Sequence, residues 1–442
     1  MIASFGLTSL VWRGAFWGNF HIGVFSGHLL VRLILVGTER IGSRRGGIEH
    51  GGAMTLRSAV NRKAGGRQVW IELSLLEHWG AQPHGIPRVT QNIFVQSLSR
   101  QDIRYFYYHR TRRTFVATQD IRYFIDLAAG SAAYAPHLLP GGLPFSNELG
   151  SADSVFFSEA GWDHPEYLGA LLDLRARHAG ATFQCLTHDL IAIRYPQFFE
   201  HDFGSRVRVF LRGLTKVWDR YVCVSESTSR DVRQLLDPSA VTAVVRIGDD
   251  IGREVSCVAC TGGLGPYVLC VGTQEVRKNH ILLYFVWRRL AQQLGQACPK
   301  LLMVGRPGWL SGDVMNMFAR DPVLSGLIEV RQDISDDLLV GLMRGCLFTV
   351  FPSFYEGWGL PVGESYFRGK VCVSSNTSSL PEVNPFPELM FDPYDHQEAF
   401  EKILSLISAP SDLMRYEAEI PKVFRPQTWS QFFETLIDLV SE

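Results

Sequence analysis

The sequence predicts an α/β fold with two doubly wound domains that face each other across a cleft. Two series of short apolar segments, each alternating with helix patterns, indicate parallel sheets covered by helices on both faces. A stretch from 247 to 266, rich in Gly, Asp, Cys and Thr, separates the two series. The length of 442 residues also suits two domains of roughly 150–200 residues each.

The first series opens with a strand, a turn and a helix. The run Gln68–Ser74 has the pattern of a short strand, and a Gly-containing turn at Pro83–Arg88 precedes an amphipathic helix pattern that starts at Val89. The alternation is repeated further along the chain, at Ala181–Leu186, Phe203–Trp218 and Tyr221–Ser225. We therefore assign residues 67–250 to a first domain.

The second series is more regular and predicts five strands. They are Tyr267–Val271, Lys300–Val304, Leu327–Val330, Leu347–Phe351 and Lys370–Ser374. Apolar positions at helical spacing predict a helix over His280–Leu294, and Ser335, followed by two acids, is typical of a helix start. We assign residues 262–425 to a second domain. A last helix within 426–442 has one aromatic face, and we expect it to pack back on the first domain.

Composition excludes several classes of protein. Hydrophobic residues make up 46% of the chain and charged residues 20%, a balance typical of folded proteins and not of disordered ones. The net charge of −1 provides no overall field for nucleic acid. Most cysteines lie in apolar runs, and Cys257 and Cys260 lack the second pair that a structural zinc site needs. We expect no metal site and a reducing, cytoplasmic location.

The first 66 residues differ from the rest. The segment Ala15–Gly37 is apolar on average but contains His21, His28 and Arg32, which are too many polar groups for a typical membrane span. It also lacks the small-residue cleavage site of a secretion signal. We interpret residues 1–66 as a poorly ordered leader or a misassigned start. A membrane-surface segment is the alternative.

The stretch Phe354–Glu364, which reads FYEGWGLPVGE, carries the clearest functional pattern. It follows the apolar run Leu347–Phe351 and so would lie beyond the carboxyl end of a strand, where open α/β sheets bind ligands. Gly357 and Gly359 would let the backbone approach a ligand closely, and Pro361 suits the first turn of a helix.

This geometry predicts a site for a diphosphate attached to a sugar. The amides of the loop and of the helix start would bind phosphate oxygens; they belong to Gly357, Trp358, Gly359 and Leu360. Glu356 would end the strand and Glu364 would lie in the first helical turn, so both carboxylates can face one pocket. Each charged hydrogen bond from a carboxylate to a sugar hydroxyl is worth about 1.5–3 kcal/mol.

In this form the stretch resembles the Glu-x7-Glu signature of a large family of retaining glycosyltransferases, family 4. The resemblance extends from about Gln68 to the end of the chain, and it includes a mannosyltransferase-like branch. It implies the GT-B fold, in which two Rossmann-like domains face each other across a cleft.

The resemblance also implies a phosphate-binding loop at the start of the second domain. The segment Val271–Asn279 resembles the loop in which Lys278, with Arg277 beside it, would neutralise the donor diphosphate. Thr273 in the same loop is a departure, because many members have Arg there.

From the first domain, the resemblance nominates two further residues. Thr187–Ile191 resembles the acceptor-domain segment whose histidine points at the reacting centre of the sugar, which nominates His188. The segment around Gly85 resembles the glycine loop that approaches the diphosphate from this side.

The implied reaction moves a hexose, with mannose from a guanosine diphosphate donor as the family-based expectation, to a saccharide or lipid-linked acceptor with retention of configuration. Lys278 and the loop amides would stabilise the leaving diphosphate. Glu364 would hold the ribose, Glu356 would orient the sugar ring, and His188 would contact sugar or acceptor. The resemblance implies no metal and no other cofactor. For a lipid-linked acceptor we expect peripheral contact with the inner face of the membrane.

Three alternatives remain open from the sequence. A nucleotide-sugar epimerase or a phosphorylase would use the same scaffold. A non-catalytic sugar-nucleotide-binding protein would explain Thr273 and the unusual leader. A glycoside hydrolase would use Glu356 and Glu364 as its pair of acids and would release sugar without a nucleotide.

Overall fold

The structure is a computed structural model that describes residues 67–78, 85–129, 135, 139–158, 161, 166–252 and 264–442. The leader of residues 1–66 and the pair Cys257 and Cys260 lie outside the described residues, so the expectations for them stay predictions. The described residues form two α/β domains, each built on one sheet.

The first sheet is formed by eight strands of the described chain. They are β1 (Val69–Glu72), β2 (Ile103–His109), β3 (Thr114–Thr118), β4 (Leu143–Pro144), β5 (Ser154–Phe157), β6 (Thr182–Thr187), β7 (Arg220–Cys223) and β8 (Thr242–Val244). Their order is β4-β3-β2-β1-β5-β6-β7-β8. Trp70, Phe106 and Phe157 are buried in the core between this sheet and its helices.

One edge of this sheet is antiparallel, so the expectation of a purely parallel sheet was wrong there. β3 pairs antiparallel with β2, and β4 pairs antiparallel with β3, whereas β2, β1 and β5 to β8 are parallel. Only residues 110–113 join β2 to β3, which is long enough for a hairpin but far too short for a crossover helix.

The described helices of this half alternate with its strands along the chain. They are α1 (Ile86–Ser97), α2 (Arg122–Ala128), α3 (Phe145–Glu148), α4 (Tyr167–Arg177), α5 (Ile191–Arg194), α6 (Phe203–Leu214) and α7 (Glu226–Asp231). The helix expected to reach Trp218 ends at Leu214. Beyond it the chain turns inward, and this turn buries Val217 and Trp218 in the core.

The second sheet has six parallel strands. They are β9 (Tyr267–Val271), β10 (Lys300–Val304), β11 (Ile328–Arg331), β12 (Thr349–Phe351), β13 (Cys372–Ser375) and β14 (Met390–Phe391). The order β11-β10-β9-β12-β13-β14 reverses direction between β9 and β12. At such a reversal the loops that follow the two strands diverge and leave a crevice, which is where these sheets bind ligands. The five expected strands are confirmed, β9 and β10 with the expected bounds and the other three with shifted ends, and β14 was not predicted.

The helices of the second half follow its strands. They are α8 (His280–Leu294), α9 (Gly312–Arg320), α10 (Asp336–Gly345), α11 (Leu360–Phe367), α12 (Leu380–Val383), α13 (His396–Ser408) and α14 (Pro410–Val423). The helix over His280–Leu294 and the cap at Ser335, whose Oγ accepts from the Leu338 amide, are as expected.

The chain ends in α15 (Trp429–Ser441), which lies against the first sheet. The hydroxyl of Ser154 donates to the carbonyl of Val440 at 2.6 Å, and the Gln184 amide donates to the same oxygen at 3.0 Å. The chain therefore passes from the first half to the second and returns. The outgoing and returning segments are bonded to each other, because the Asp249 amide donates to the Gln427 carbonyl at 2.7 Å.

Candidate active site between the two sheets

The loop after β9 carries two cations into the crevice of the second sheet. Arg277 and Lys278 lie in a short helical turn directly before α8. Asn279 ends this turn with a φ of 56°, and its buried side-chain amide donates to the carbonyls of Pro352 at 3.1 Å and Pro393 at 2.8 Å. The turn is thereby fixed against the loop that follows β12, on the other side of the crevice.

Glu356 bridges the two cations. Its Oε2 lies 2.7 Å from Nη1 of Arg277, and its Oε1 lies 2.7 Å from Nζ of Lys278. Burial alone would raise the pKa of Glu356, but the two neighbouring cations lower it to about 2. Glu356 is therefore an ionised carboxylate at neutral pH and serves as a counter-ion to both cations.

Arg277 also interacts with two acids that sequence reasoning did not assign to the site. Nη2 of Arg277 lies 2.5 Å from Oε1 of Glu275. Burial by itself lowers the pKa of Arg277. The negative charges of Glu356, Glu275 and Asp189 raise this pKa by more than burial lowers it, so the net shift is upward. Burial likewise raises the pKa of Asp189, against the opposing charge of Arg277. The adjacency of Glu275 and Arg277 in the loop was the one local signal for this cluster.

The expected positions of the two glutamates were wrong in detail. Strand β12 ends at Phe351, because the proline that follows has no N–H to continue the ladder. Glu356 therefore lies in the loop and not at the end of the strand. Gly359, with a φ of 102°, starts the helix at Leu360, so Glu364 is the fifth helical residue and not a first-turn acid.

Glu364 reaches across to the first sheet and pairs with Arg88. Its Oε1 lies 2.6 Å from Nη1 of Arg88, the third residue of α1, and the Glu364 side chain is only 3% exposed. Burial raises the pKa of Glu364, and the Arg88 charge offsets part of that rise. Sequence reasoning missed this role for Arg88, since nothing in the local pattern connects two residues 276 positions apart.

His188 lies directly after β6, on the first-domain side of the cleft. Its Nε2 lies 3.1 Å from the Ser158 carbonyl, and burial lowers the pKa of His188 to about 4. The ring is therefore neutral at physiological pH, and with Nε2 protonated it leaves Nδ1 as an acceptor. His188 lines one cavity together with Thr273 and Arg277 from the second domain. The structure thus brings these three expected site residues to one space.

Gly357 brings the backbones of the two domains into contact. A Cβ on Gly357 would lie 2.0 Å from the carbonyl oxygen of His188. The hydroxyl of Thr228 lies 3.2 Å from this oxygen and 3.3 Å from the carbonyl of Gly357. The expectation was that Gly357 allows close approach to a ligand. In this structure the first domain occupies the space beside it.

Replacing Gly357 with alanine is expected to separate the domains at this contact and to lower stability by about 1–3 kcal/mol. No side-chain rotation can relieve a clash with a backbone oxygen. Differential scanning calorimetry and the radius of gyration from small-angle scattering measure the two effects. Gly312→Ala is the matched control, because a Cβ there meets no atom within 4 Å. Equal melting temperatures and radii for the two variants would refute the expectation.

The remaining residues expected at the donor site differ in their surroundings. Gly85 has a φ of 60° and caps α1 with open space where a Cβ would lie. Thr273 packs beside Gly308 in the loop after β10. Trp358 is buried, with the Arg246 guanidinium 5.5 Å from its ring centroid, so its indole has a structural contact. Gly359 and Leu360 form the start of α11. These last two lie where the expected phosphate-binding amides would be.

Two features are absent from the described residues. In this part of the chain, no group of three or more His, Cys, Asp or Glu side chains is arranged to hold a metal ion. None of the helices described here combines the length and the hydropathy needed to cross a bilayer.

Comparison with known proteins shows what parts of the chain are similar to. Residues 264–423 match the family described as glycosyl transferases group 1. The chain is 24% identical over 326 residues to a serotype-specific mannosyltransferase, WbdA, of Escherichia coli, with 68% of this chain and 37% of that protein covered. It is 36% identical over 129 residues to the O-antigen chain mannosyltransferase B of Escherichia coli, with 29% of this chain and 33% of that protein covered. The chain thus spans about a third of the length of these curated relatives.

Solved structures with the same fold cover most of the chain. Anabaena HepE in complex with UDP-glucose has a TM-score of 0.57 at 12% identity, over 85% of this chain and 99% of that one. The sucrose-phosphate synthase of Thermosynechococcus elongatus has a TM-score of 0.56 at 14% identity, over 84% of this chain and 98% of that one. The predicted fold is confirmed: the chain has the GT-B fold, and its residues 264–423 match the group 1 glycosyl transferases.

Proposed function

We propose that this protein is a retaining glycosyltransferase that moves a hexose, most simply mannose, from a nucleoside diphosphate sugar to a saccharide or lipid-linked acceptor during polysaccharide synthesis. The observation that carries the proposal is the pair Arg277 and Lys278, fixed in the crevice of the second sheet and bridged by Glu356. The group 1 match and the two mannosyltransferase relatives support the reaction class and the sugar.

The two cations suit a diphosphate leaving group. When the bond to the sugar breaks, negative charge grows on the diphosphate, and cations already in place stabilise that charge without reorganisation. Lys278 is 12% exposed and Arg277 15% exposed at the side chain, so solvent screens them only partly. The amides at the start of α11 would add a second set of donors to the same oxygens.

Glu356 and His188 would act on the sugar. Both oxygens of the Glu356 carboxylate are engaged by Arg277 and Lys278. An incoming diphosphate would compete for these two cations. The carboxylate oxygens of Glu356 would then become available to bind sugar hydroxyls. His188, neutral and buried, would accept a hydrogen bond from a hydroxyl at Nδ1, since its Nε2–H is directed to the Ser158 carbonyl. Neither residue has to form a covalent bond with the sugar in this scheme.

We propose that transfer needs no metal ion. Arg277 and Lys278 would supply the positive charge that a divalent cation supplies to diphosphates in other sites. Transfer is expected to persist in excess EDTA, and activity restored only by added Mg²⁺ or Mn²⁺ would refute this part of the proposal.

A lipid-linked acceptor would require contact with the inner face of a membrane, and α6 offers a suitable surface. Its outer face exposes Arg206, Arg208 and Arg212 together with Val209, whose exposure is 72%. A cluster of exposed arginines attracts anionic lipid head groups, and each cation near the membrane surface contributes about 1 kcal/mol. Co-sedimentation with vesicles that contain phosphatidylglycerol tests this contact. Equal binding to purely zwitterionic vesicles would argue against it.

Substrate identity and reaction class can be tested together. Thermal shifts with guanosine, uridine and thymidine diphosphates and their sugars would identify the donor, and transfer to saccharide acceptors would then be followed by NMR. A product that keeps the anomeric configuration of the donor supports the proposal. Sugar release without any nucleotide would indicate a hydrolase. An altered nucleotide sugar without acceptor would indicate an epimerase, and binding without turnover would indicate a non-catalytic protein.

Glu364→Ala is expected to weaken donor binding by about 10- to 100-fold, since one or two charged hydrogen bonds to the ribose would be lost. Isothermal titration calorimetry with the donor measures this directly. Arg88→Ala is the informative companion, because it removes the partner of Glu364 and leaves the carboxylate itself in place. A donor affinity that falls equally in both variants would mean that the ion pair, and not a contact of Glu364 with the donor, determines binding.

The pH dependence of transfer should show no break from His188 or Glu356 between about pH 5 and pH 8. The pKa of His188 is near 4 and that of Glu356 near 2, so both residues keep one protonation state across this range. A profile of kcat against pH for the wild type and for His188→Gln checks this. A break near neutrality that disappears in the variant would assign His188 a proton-transfer role instead.

A further inference from the structure

A cavity of about 530 Å³ extends from the cleft into the first domain. This volume is within the range of about 300–1,000 Å³ that is typical of small-molecule sites. At the cleft it is bordered by His188, Asp189, Thr273, Glu275 and Arg277. The cavity therefore begins at the residues to which the proposed transfer is assigned.

Glu72 and Ser74, at the carboxyl end of β1, and Thr187, at the end of β6, also line the cavity, and most of its remaining wall is apolar. The inner face of α6 contributes Phe203, Val207, Leu211 and Leu214. Trp309 from the second domain completes the wall, with its ring centroid 5.0 Å from that of Phe203. Neither hydroxyls of a sugar nor phosphates would find partners along such a wall, whereas a hydrocarbon group would be transferred favourably from water.

Tyr221 provides one polar group in this apolar part. It lines the cavity and is only 5% exposed, and among the described residues its hydroxyl has no hydrogen-bond partner. A buried hydroxyl without a partner costs about 1–3 kcal/mol, so native structures rarely keep one without a reason. A ligand with an oxygen atom at this depth would satisfy it.

We propose that this cavity binds an apolar group attached to the acceptor saccharide, with an oxygen atom of that group paired to Tyr221. The proposal rests on the proposed function and specifies its acceptor as amphipathic. The saccharide would lie at the cleft beside His188, and the hydrocarbon would extend along α6. Because Trp309 and α6 belong to different domains, filling the cavity would also favour the closed arrangement of the cleft.

Three glycosides test this proposal: methyl α-mannoside, octyl α-mannoside and 8-hydroxyoctyl α-mannoside. Direct binding is measured by calorimetry without donor, and acceptor KM is measured with the donor identified by thermal shift. The octyl compound is expected to bind at least about tenfold more tightly than the methyl compound. Leu211→Trp, which fills the cavity, should abolish this difference. Met414→Trp, an exposed position on α14 away from the cavity, should preserve it.

Tyr221→Phe is a second variant that keeps the shape of the cavity. It should weaken binding of the hydroxyoctyl compound by about two- to tenfold and leave the octyl compound unchanged. Equal binding of methyl and octyl mannosides by the wild type would overturn the proposal, even if transfer to the methyl compound is active. Octyl binding that depends on Leu211 without any sugar transfer would support the cavity and refute the transferase function.

Discussion

Replacing Lys278 with alanine is expected to reduce kcat by about 10²- to 10³-fold and to change the donor KM much less. The Lys278 charge would interact most strongly with the diphosphate when its leaving charge is greatest, which is in the transition state. The fold should survive, because Arg277 remains as the partner of Glu356 at 2.7 Å. Steady-state kinetics with donor and acceptor varied separately, together with a thermal melt, measure these effects.

Lys370→Ala is the matched control for this variant. Lys370 is a partly buried lysine of the same half of the chain, paired with Glu417 at 3.0 Å, but it is not one of the site residues described above. Its loss should leave kcat within about twofold of the wild type, since an ion pair outside the site contributes mainly to stability. An unchanged kcat for Lys278→Ala itself would remove Lys278 from the mechanism.

Glu356→Gln is expected to lower the rate of transfer by at least about 100-fold while nucleoside diphosphate binding becomes equal or tighter. The amide keeps the size of the side chain but removes the charge that now neutralises Arg277 and Lys278. The diphosphate would then meet Lys278 without its competing carboxylate and Arg277 with Glu275 as its remaining ion-pair partner, whereas the sugar would lose its carboxylate contact. The melting temperature without nucleotide should fall, because the largely buried Lys278 loses its counter-ion and Arg277 loses one of its two ion-pair partners.

Calorimetry with the diphosphate and rate measurements with the full donor separate these two effects for Glu356. Glu275→Gln is the useful comparison, since the Glu275 carboxylate pairs with Arg277 at 2.5 Å but forms no ion pair with Lys278 within the described part of the chain. If diphosphate affinity falls in Glu356→Gln in parallel with the rate, Glu356 supports phosphate binding and does not orient the sugar.

The parts of the fold that depend on local pattern could be predicted from the sequence. The helix His280–Leu294 has the expected bounds, since its apolar spacing and the turn before it act within one segment. The helix cap at Ser335 was predictable for the same reason, because it depends on residues within one short segment. The hairpin of β2 and β3 was not predicted, because its aromatic strands are buried on both faces and show no simple alternation.

The candidate site was predictable as a set of residues but not as a set of contacts. Its glycines and charges follow strands, and strand order brings strand ends together. The partners of each charge depend on tertiary distance. Glu364 is paired with Arg88, and Gly357 is packed against His188, through contacts between segments far apart in the chain. No periodicity within one segment carries that information.

The two chain crossings described above constrain how the cleft can open. Asp249 and Gln427 bond the outgoing segment to the returning one, and a Cβ on Gly363 would lie 2.2 Å from Oδ1 of Asp249. Two adjacent chain segments that are bonded to each other act as a hinge line between the domains. When a domain turns about such a line, each atom moves in proportion to its distance from the line. Glu364 directly follows Gly363 and so lies close to this pivot. The nucleoside end of a donor would then stay almost stationary as the cleft opens, while the sugar end, at the longer lever arm, would be released first.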